Sequence, residues 1–452
     1  MFEEKTDRCI DLISLPRKSF WKLSVPIAAF LIFTTLYSIV DMMWVTSISM
    51  DATFAVSASA PALALIATFG DSIGQGTNSI MSRYIGSNDY KSAYNSLVHG
   101  ILISVIISIL TALTVPFADV LFDLLLGSEN LSLILEYISP ILMFSFAFVF
   151  INVFSETLQA EGNSKTPVVI MIASNVLNLI LDPVFIYFLN MGVSGAAYAS
   201  IISQFLGIMM FLFLYLNART KIPLSLSYFS FKPHIAFEIL KVAVPNFIDD
   251  GIVFVFAMFA NEILFMEIGE MGVILYTISI KIRSLLRSPI KGMSRGLMSV
   301  TGHLFGARKI DDLNDMYIYV LKYALALSAV LGLTFFALRD LVYESFSVVG
   351  METSIFYIAV FGIILTMCYP FTNVSSKMLD GFGKSYYSLF YTAVKNFTQI
   401  VMIGFLSECL PAGADILVGI TLGEIIFSAV YFATLKLMLK RFKKNKDNLA
   451  VT

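Results

Sequence analysis

Long apolar runs alternate with short polar or Gly/Pro-rich breaks along almost the whole chain, and the pattern predicts twelve helices at 20–47, 54–80, 92–116, 131–157, 166–190, 194–217, 236–262, 272–298, 315–337, 353–377, 386–410 and 413–438. A bilayer core of ~30 Å needs about 20 apolar residues per helical span, which each run supplies. Several runs are longer, so they tilt or extend into water.

Lys and Arg follow the same alternation. Lys5, Arg8, Arg17, Lys18 and Lys22 lie before or at the start of the first span, Arg83 and Lys91 follow the second, and Lys165 follows the fourth. Arg219, Lys221 and Lys232 lie between spans six and seven and Lys241 at the start of span seven, then come Arg308 and Lys309, Lys377 and Lys384, and a basic tail ending in Lys446. The alternate connections hold a single basic residue, Arg339. Cytoplasmic loops carry the excess of Lys and Arg, so both termini are expected in the cytoplasm of a multi-pass plasma-membrane protein. Met1 to Lys22 carries no cleavable targeting pattern, which leaves the first span as the expected insertion signal.

Of the 452 residues, 58% are hydrophobic and 14% charged, which excludes a water-soluble globule. A net charge of −2 leaves no basic surplus for nucleic acid. Cys9, Cys368 and Cys409 are far apart, as are His99, His234 and His303, so neither a disulfide framework nor a metal site is read from them. No Cys–His pairing or phosphate-cradling loop suggests an enzyme. Gly70, Gly74 and Gly76 have no preceding strand and are spaced for close helix packing instead.

The chain also repeats itself. Lys22-Leu-Ser-Val-Pro26 matches Lys241-Val-Ala-Val-Pro245 at a shift of 219, and Gly76, Ser79 and Gly86 match Gly296, Ser299 and Gly306 at 220. Residues 152–164 match 373–385 at 221, with six identities in thirteen, and Asn175, Gly192 and Ser200 align with Asn396, Gly413 and Thr421. Each half holds six spans, so the halves enter the membrane in the same sense and are related by an axis along its normal, one of the recurring transporter plans. The expected parts are an amino lobe (1–217), a cytoplasmic linker (218–235) with Pro223 and Pro233, a carboxy lobe (236–439) and a basic tail (440–452).

Charged residues inside spans are costly and therefore mark function. Asp41 late in span one, Asp182 late in span five and Ser200 early in span six fall in the outer half of the bilayer, and Asn178 shares a helix face with Asp182. Two carboxylates, an amide oxygen and a hydroxyl suit Na+. The two carboxyls equally suit a shared proton, because like charges in a low dielectric do not both ionise cheaply. The carboxy half has Asn261, Gln399 and Ile403 at the positions of Asp41, Asn178 and Asp182, so ion chemistry is assigned to the amino lobe. Span eight carries Lys281, Arg283, Arg287, Lys291 and Arg295, with Arg287 level with Asp249 and Asp250 on span seven and with Lys395 on span eleven. One reading pairs these charges off and lets the lower ones snorkel; the other makes them an anion-attracting wall. Asp71 stands at the repeat position of Lys291, within reach of a cross-lobe pair.

Ser174-Asn-Val-Leu-Asn-Leu-Ile-Leu-Asp-Pro183, Gly192-Val-Ser-Gly-Ala-Ala-Tyr-Ala-Ser200, Tyr37-Ser-Ile-Val-Asp41 with Pro26 upstream, Ser82-Arg-Tyr-Ile-Gly86 and Gln159-Ala-Glu-Gly162 together resemble the multidrug and toxic compound extrusion family, from about Phe20 to Leu439. The resemblance implies an all-α fold of twelve helices in two six-helix bundles arranged as a V. It implies antiport of amphipathic organic compounds against Na+ or H+ by alternating access, with no cofactor. It carries the cation site onto Asp41, Asn178, Asp182 and Ser200, where Ser replaces the family's usual Thr. Ion uptake there is expected to bend or repack helix one and release cargo outward. Tyr37, Asn175, Asp249, Asp250, Arg283 and Arg287 are the candidate substrate contacts. Small molecules and membrane lipid are the expected partners of a monomer. A lipid-linked saccharide flippase and an organic anion exporter of the same broader superfamily are the alternative readings.

Overall fold

The computed structural model describes residues 12–126, 131–217, 219–222, 224, 229–345, 352–410 and 413–444. Cys9, the linker residues Ala218 and Pro223, Lys446 and the side chain of Asn261 lie outside the described residues.

Twelve helical segments account for the apolar runs. They are α1 (Pro16–Thr46), α2 (Met50–Gly86), α3 (Tyr90–Ala112), the bent pair α4 (Leu131–Met143 and Phe146–Ala160), α5 (Lys165–Pro183) and α6 (Gly192–Leu216). The second half repeats the series as α7 (Pro233–Ile268), α8 (Glu270–Gly306), α9 (Ile310–Ser345), α10 (Glu352–Gly381), α11 (Ser385–Leu406) and α12 (Ala414–Lys444). There is no strand among the described residues. Local chemistry sets several boundaries. Pro16 occupies the first turn of α1, where its missing N–H costs nothing. Ser49 and Asp89 cap α2 and α3 by accepting from the backbone N–H of Ala52 and Ser92.

Ten of these helices are long and apolar enough to cross a membrane, and α4, bent by 47°, makes eleven. The remaining one, α8, is 37 residues long, but its basic stripe keeps it below the apolarity of the others. All twelve expected runs are helical, but eleven at most have the length and apolarity of a span, and α8 differs from the rest in composition.

The two halves are joined by a crossover that the chain pattern did not reveal. Leu12, just before α1, and Phe20 and Leu23, in its first turns, are buried in an apolar core otherwise built from the second half, including Ile290, Leu297, Met378 and Leu435. Reciprocally Ile235 and Ile239, at the start of α7, are buried in the core of the first half with Ile73, Leu97 and Phe154. Phe20 and Ile239 are equivalent in the 219-residue repeat. Each lobe therefore lends the base of its first helix to the other.

The clasp between α2 and α8 obeys the same symmetry. A Cβ on Gly86 would lie 2.3 Å from the carbonyl oxygen of His303, and one on Gly306 would lie 2.1 Å from that of Arg83. Residues 83 and 86 become 303 and 306 at the repeat shift of 220. Only glycine permits both backbone approaches. Both lie at the ends joined by the Lys- and Arg-rich connections, the basic face of the molecule.

Candidate functional site

Near the opposite face, α1, α5 and α6 bring four oxygen-bearing side chains of the first half together with Tyr37. Asn178 and Asp182 stand one turn apart on α5, each 1% exposed. Asn178 Nδ2 donates to Asp182 Oδ1 at 3.2 Å and to Ser200 Oγ at 3.2 Å, while the Tyr37 hydroxyl donates to Asn178 Oδ1. The carboxyl groups of Asp41 and Asp182 are in hydrogen-bonding contact. Asp182 Oδ2 is buried with no protein N–H or O–H donor. Directly after Asp182, Pro183 ends the regular helix and Val184–Phe188 form a π-turn, with Leu189 N donating to Val184 O at 2.9 Å. Such turns relax the backbone and recur at functional sites. Tyr187, carried on this turn, contacts Ser47 and donates to Trp44 O at 3.1 Å, closing the cluster's outer side against the end of α1.

Asp41, Asn178, Asp182 and Ser200 thus come together as expected from sequence, and Tyr37 joins them. Asn175, 8% exposed, lies one turn before Asn178 on the same helix.

Helix α1 links this cluster to the second half. Its outer part faces α5, whereas its lower part crosses α8 so closely that a Cβ on Gly292 would lie 2.4 Å from Ala28 Cα. Pro26 cannot donate to Lys22 O, and that carbonyl is taken by Ser164 Oγ at 3.2 Å.

The second half encloses a cavity of about 440 Å³, lined by Asp249, Asp250, Arg283, Arg287, Lys291, Arg295, Tyr369, Lys377, Lys395 and Glu424, with Asp71 and Gln75 of α2 at its base. The four remaining substrate candidates, Asp249, Asp250, Arg283 and Arg287, all line this space. They do not pair with one another: among the described residues no carboxylate lies within 4.0 Å of Arg283, Arg287 or Lys291. Arg287 stacks 4.4 Å above the Tyr369 ring and donates to Leu365 O at 3.2 Å. Arg283 lies 5.9 Å from the Tyr276 ring. Both Nε atoms are buried without an acceptor. Lys395 pairs instead with Glu424, at 3.0 Å. The mutual neutralisation expected of the α8 stripe therefore holds only at its lower end.

That lower end forms a polar clasp between the lobes. Arg295 binds Asp71 of α2 at 2.6 Å and lies 3.8 Å from Glu156 of α4. Asn78 donates to Glu156 at 2.8 Å and accepts from Ser299 of α8 at 3.1 Å. Lys377 of α10 bonds Gln75 of α2 and its own-lobe Asp380. The cross-lobe role envisaged for Asp71 is real, with Arg295 rather than Lys291 as partner. Glu156 and Glu424 were not singled out from sequence, although each is a carboxylate inside an apolar run.

Two pseudo-symmetric six-helix lobes, clasped at one face and enclosing a polar cavity in an otherwise apolar shell, define a membrane transporter. The MatE family model matches residues 26–184 and 250–405, one stretch in each lobe and together more than half of the chain, so the protein belongs to that family. It is 25% identical over 378 residues to the multidrug export protein MepA of Staphylococcus haemolyticus, covering 81% of this chain and 79% of that one. Its fold matches a MATE transporter crystallised in the bent conformation with a TM-score of 0.93 at 27% identity, over 98% and 99% of the two chains. It also matches, with a TM-score of 0.89 at 27% identity over 95% and 97%, a Pyrococcus furiosus transporter of the MOP superfamily described as having a binding pocket of reverse polarity that suggests a different function.

Proposed function

We propose that the protein is a secondary active antiporter that exports amphipathic organic compounds in exchange for a cation, by alternating access between its two lobes. The observation that carries this reading is Asp182 Oδ2, buried without a donor and beside the Asp41 carboxyl, on elements that lead through α1 to the other lobe. Such an arrangement is costly with both groups ionised and is relieved by one bound cation. The orientation of Asn178, its NH₂ toward Asp182 and Ser200 and its oxygen toward Tyr37, favours a shared proton. Na+ would need that amide reversed to gain its oxygen as a ligand.

With the basic face in the cytoplasm, the clasped state is open outward. Protons enter the Asp41–Asp182 pair from outside, neutralise it and let the outer part of α1 repack against α5. The lower part of α1 lies on α8, so the movement reaches the cavity wall and releases cargo. Return of the proton to the cytoplasm follows opening of the clasp. The MepA relative is named for multidrug export, which supports an organic cargo.

Reconstituted Asp41→Asn protein tests the reading. It is expected to fold and elute as the wild type does while losing gradient-driven cargo movement. Gradient-driven movement at the wild-type rate would overturn it.

A further inference from the structure

The cavity in the second half has an uneven charge distribution with a definite chemical consequence. At its base, cations and carboxylates are matched: Arg295 has Asp71 and Glu156, and Lys377 has Asp380. Asp250 adds a carboxylate in the field of Lys291, Lys377 and Arg295. Farther up, Asp249 lies in the field of Lys377 and Lys395, and Glu424 in that of Lys395, Arg287 and Arg283. Lys395 takes its direct contact at 3.0 Å. The two guanidiniums keep buried Nε–H groups with no acceptor and are held by aromatic faces, Arg287 on Tyr369 and Arg283 beside Tyr276.

Arg287 spends one N–H on Leu365 O and Arg283 one on the Tyr276 side chain, while the two Nε–H groups stay open, and a guanidinium edge fits a carboxylate, sulfonate or phosphate in paired hydrogen bonds. An organic cation entering the same space would meet two guanidiniums that share the field of Glu424 but have no carboxylate in direct contact, in surroundings of low dielectric. Phe256, Ala257, Ile280 and Leu365 supply apolar wall beside the two arginines.

We propose that this site takes an amphipathic organic anion, its acidic group bound between Arg283 and Arg287 and its aromatic or aliphatic body laid against Tyr276 and Phe256. The proposal rests on the export reading above for its physiological meaning, but the binding site it names does not depend on cation coupling. It makes the cargo an organic acid or an acid conjugate, opposite in charge to a cationic drug.

The test is equilibrium binding to purified protein in phosphatidylcholine nanodiscs, with no gradient, using a charge-swapped pair of probes on one body: a naphthalene sulfonate and a naphthyl trimethylammonium. Wild-type protein is expected to bind the sulfonate at least tenfold more tightly. The Arg283→Gln/Arg287→Gln protein is expected to lose that preference, and the Arg283→Lys/Arg287→Lys protein to keep most of it. Equal or tighter binding of the ammonium to wild type overturns the proposal, and so does an unchanged preference in the Gln variant. Should the Gln variant not fold, the wild-type ratio decides alone. A short-chain phosphatidate that displaces the sulfonate far more effectively than a water-soluble naphthoate does would place a lipid headgroup in the site and overturn the soluble cargo. Because no gradient is applied, failure of ion coupling in transport assays leaves this result intact, and a negative result here leaves antiport intact.

Discussion

Asn178 holds the polar cluster of α1, α5 and α6 together, because one amide serves Tyr37, Asp182 and Ser200 at once. Asn178→Leu leaves three polar groups without that partner, and an unsatisfied buried group costs about 1–3 kcal/mol. The expected outcome is a clear fall in melting temperature together with weakened transport, read by thermal unfolding and uptake on one preparation; an unchanged melting temperature would count against the network. Sequence sufficed to find Asp41, Asn178, Asp182 and Ser200, since polar residues inside apolar runs stand out and their depth follows from span direction. The bond from Tyr37 to Asn178 was not legible, because hydropathy places an aromatic residue at a depth without saying which way it points. Glu156 and Glu424 carry the same signal, a lone carboxylate inside an apolar run, but sequence does not show what either would face. What distinguishes them is the partner each meets from another helix, Arg295 and Lys395.

At the level of helices, α2 and α8 act as a symmetric clasp. Gly306→Val would drive a side chain into the Arg83 carbonyl, 2.1 Å from its Cβ, and should shift the population toward a state open at the basic face. Distances between spin labels placed on the two lobes at that face are expected to lengthen; an unaltered distribution would show that the crossing is not a gate. Arg295→Ala is expected to cost more in stability. Glu156, 2% exposed, would lose its cation, and removing one partner of a buried pair typically costs about 3–5 kcal/mol. Adding Glu156→Gln and Asp71→Asn should recover part of the loss, which a triple-mutant cycle on melting temperatures would reveal. The helices themselves were legible from apolar runs, but the 47° break within α4 was not. Pro140 lies one turn before the break, inside an unbroken apolar run that reads as a single span.

For the whole molecule, the repeat at shifts of 219 to 221 residues foretold two lobes of equal sense, and the paired contacts of Gly86 with His303 and Gly306 with Arg83 are its physical expression. The exchange of helix bases between the lobes could not be read from the chain, because Phe20 and Ile239 are apolar residues whichever core receives them. That exchange gives α1 its reach, from the Asp41–Asp182 cluster to the wall of the charged cavity. Exchange of cargo for a proton along this path is the central claim, and it is tested most directly in proteoliposomes loaded with a pH-sensitive dye. With a saturating external cargo and no imposed gradient, wild-type protein should change the luminal pH in step with cargo entry, and Asp41→Asn protein should show no pH change. Cargo entry without any pH change in the wild type, replaced by a dependence on Na+ that survives Asp41→Asn, would contradict the account.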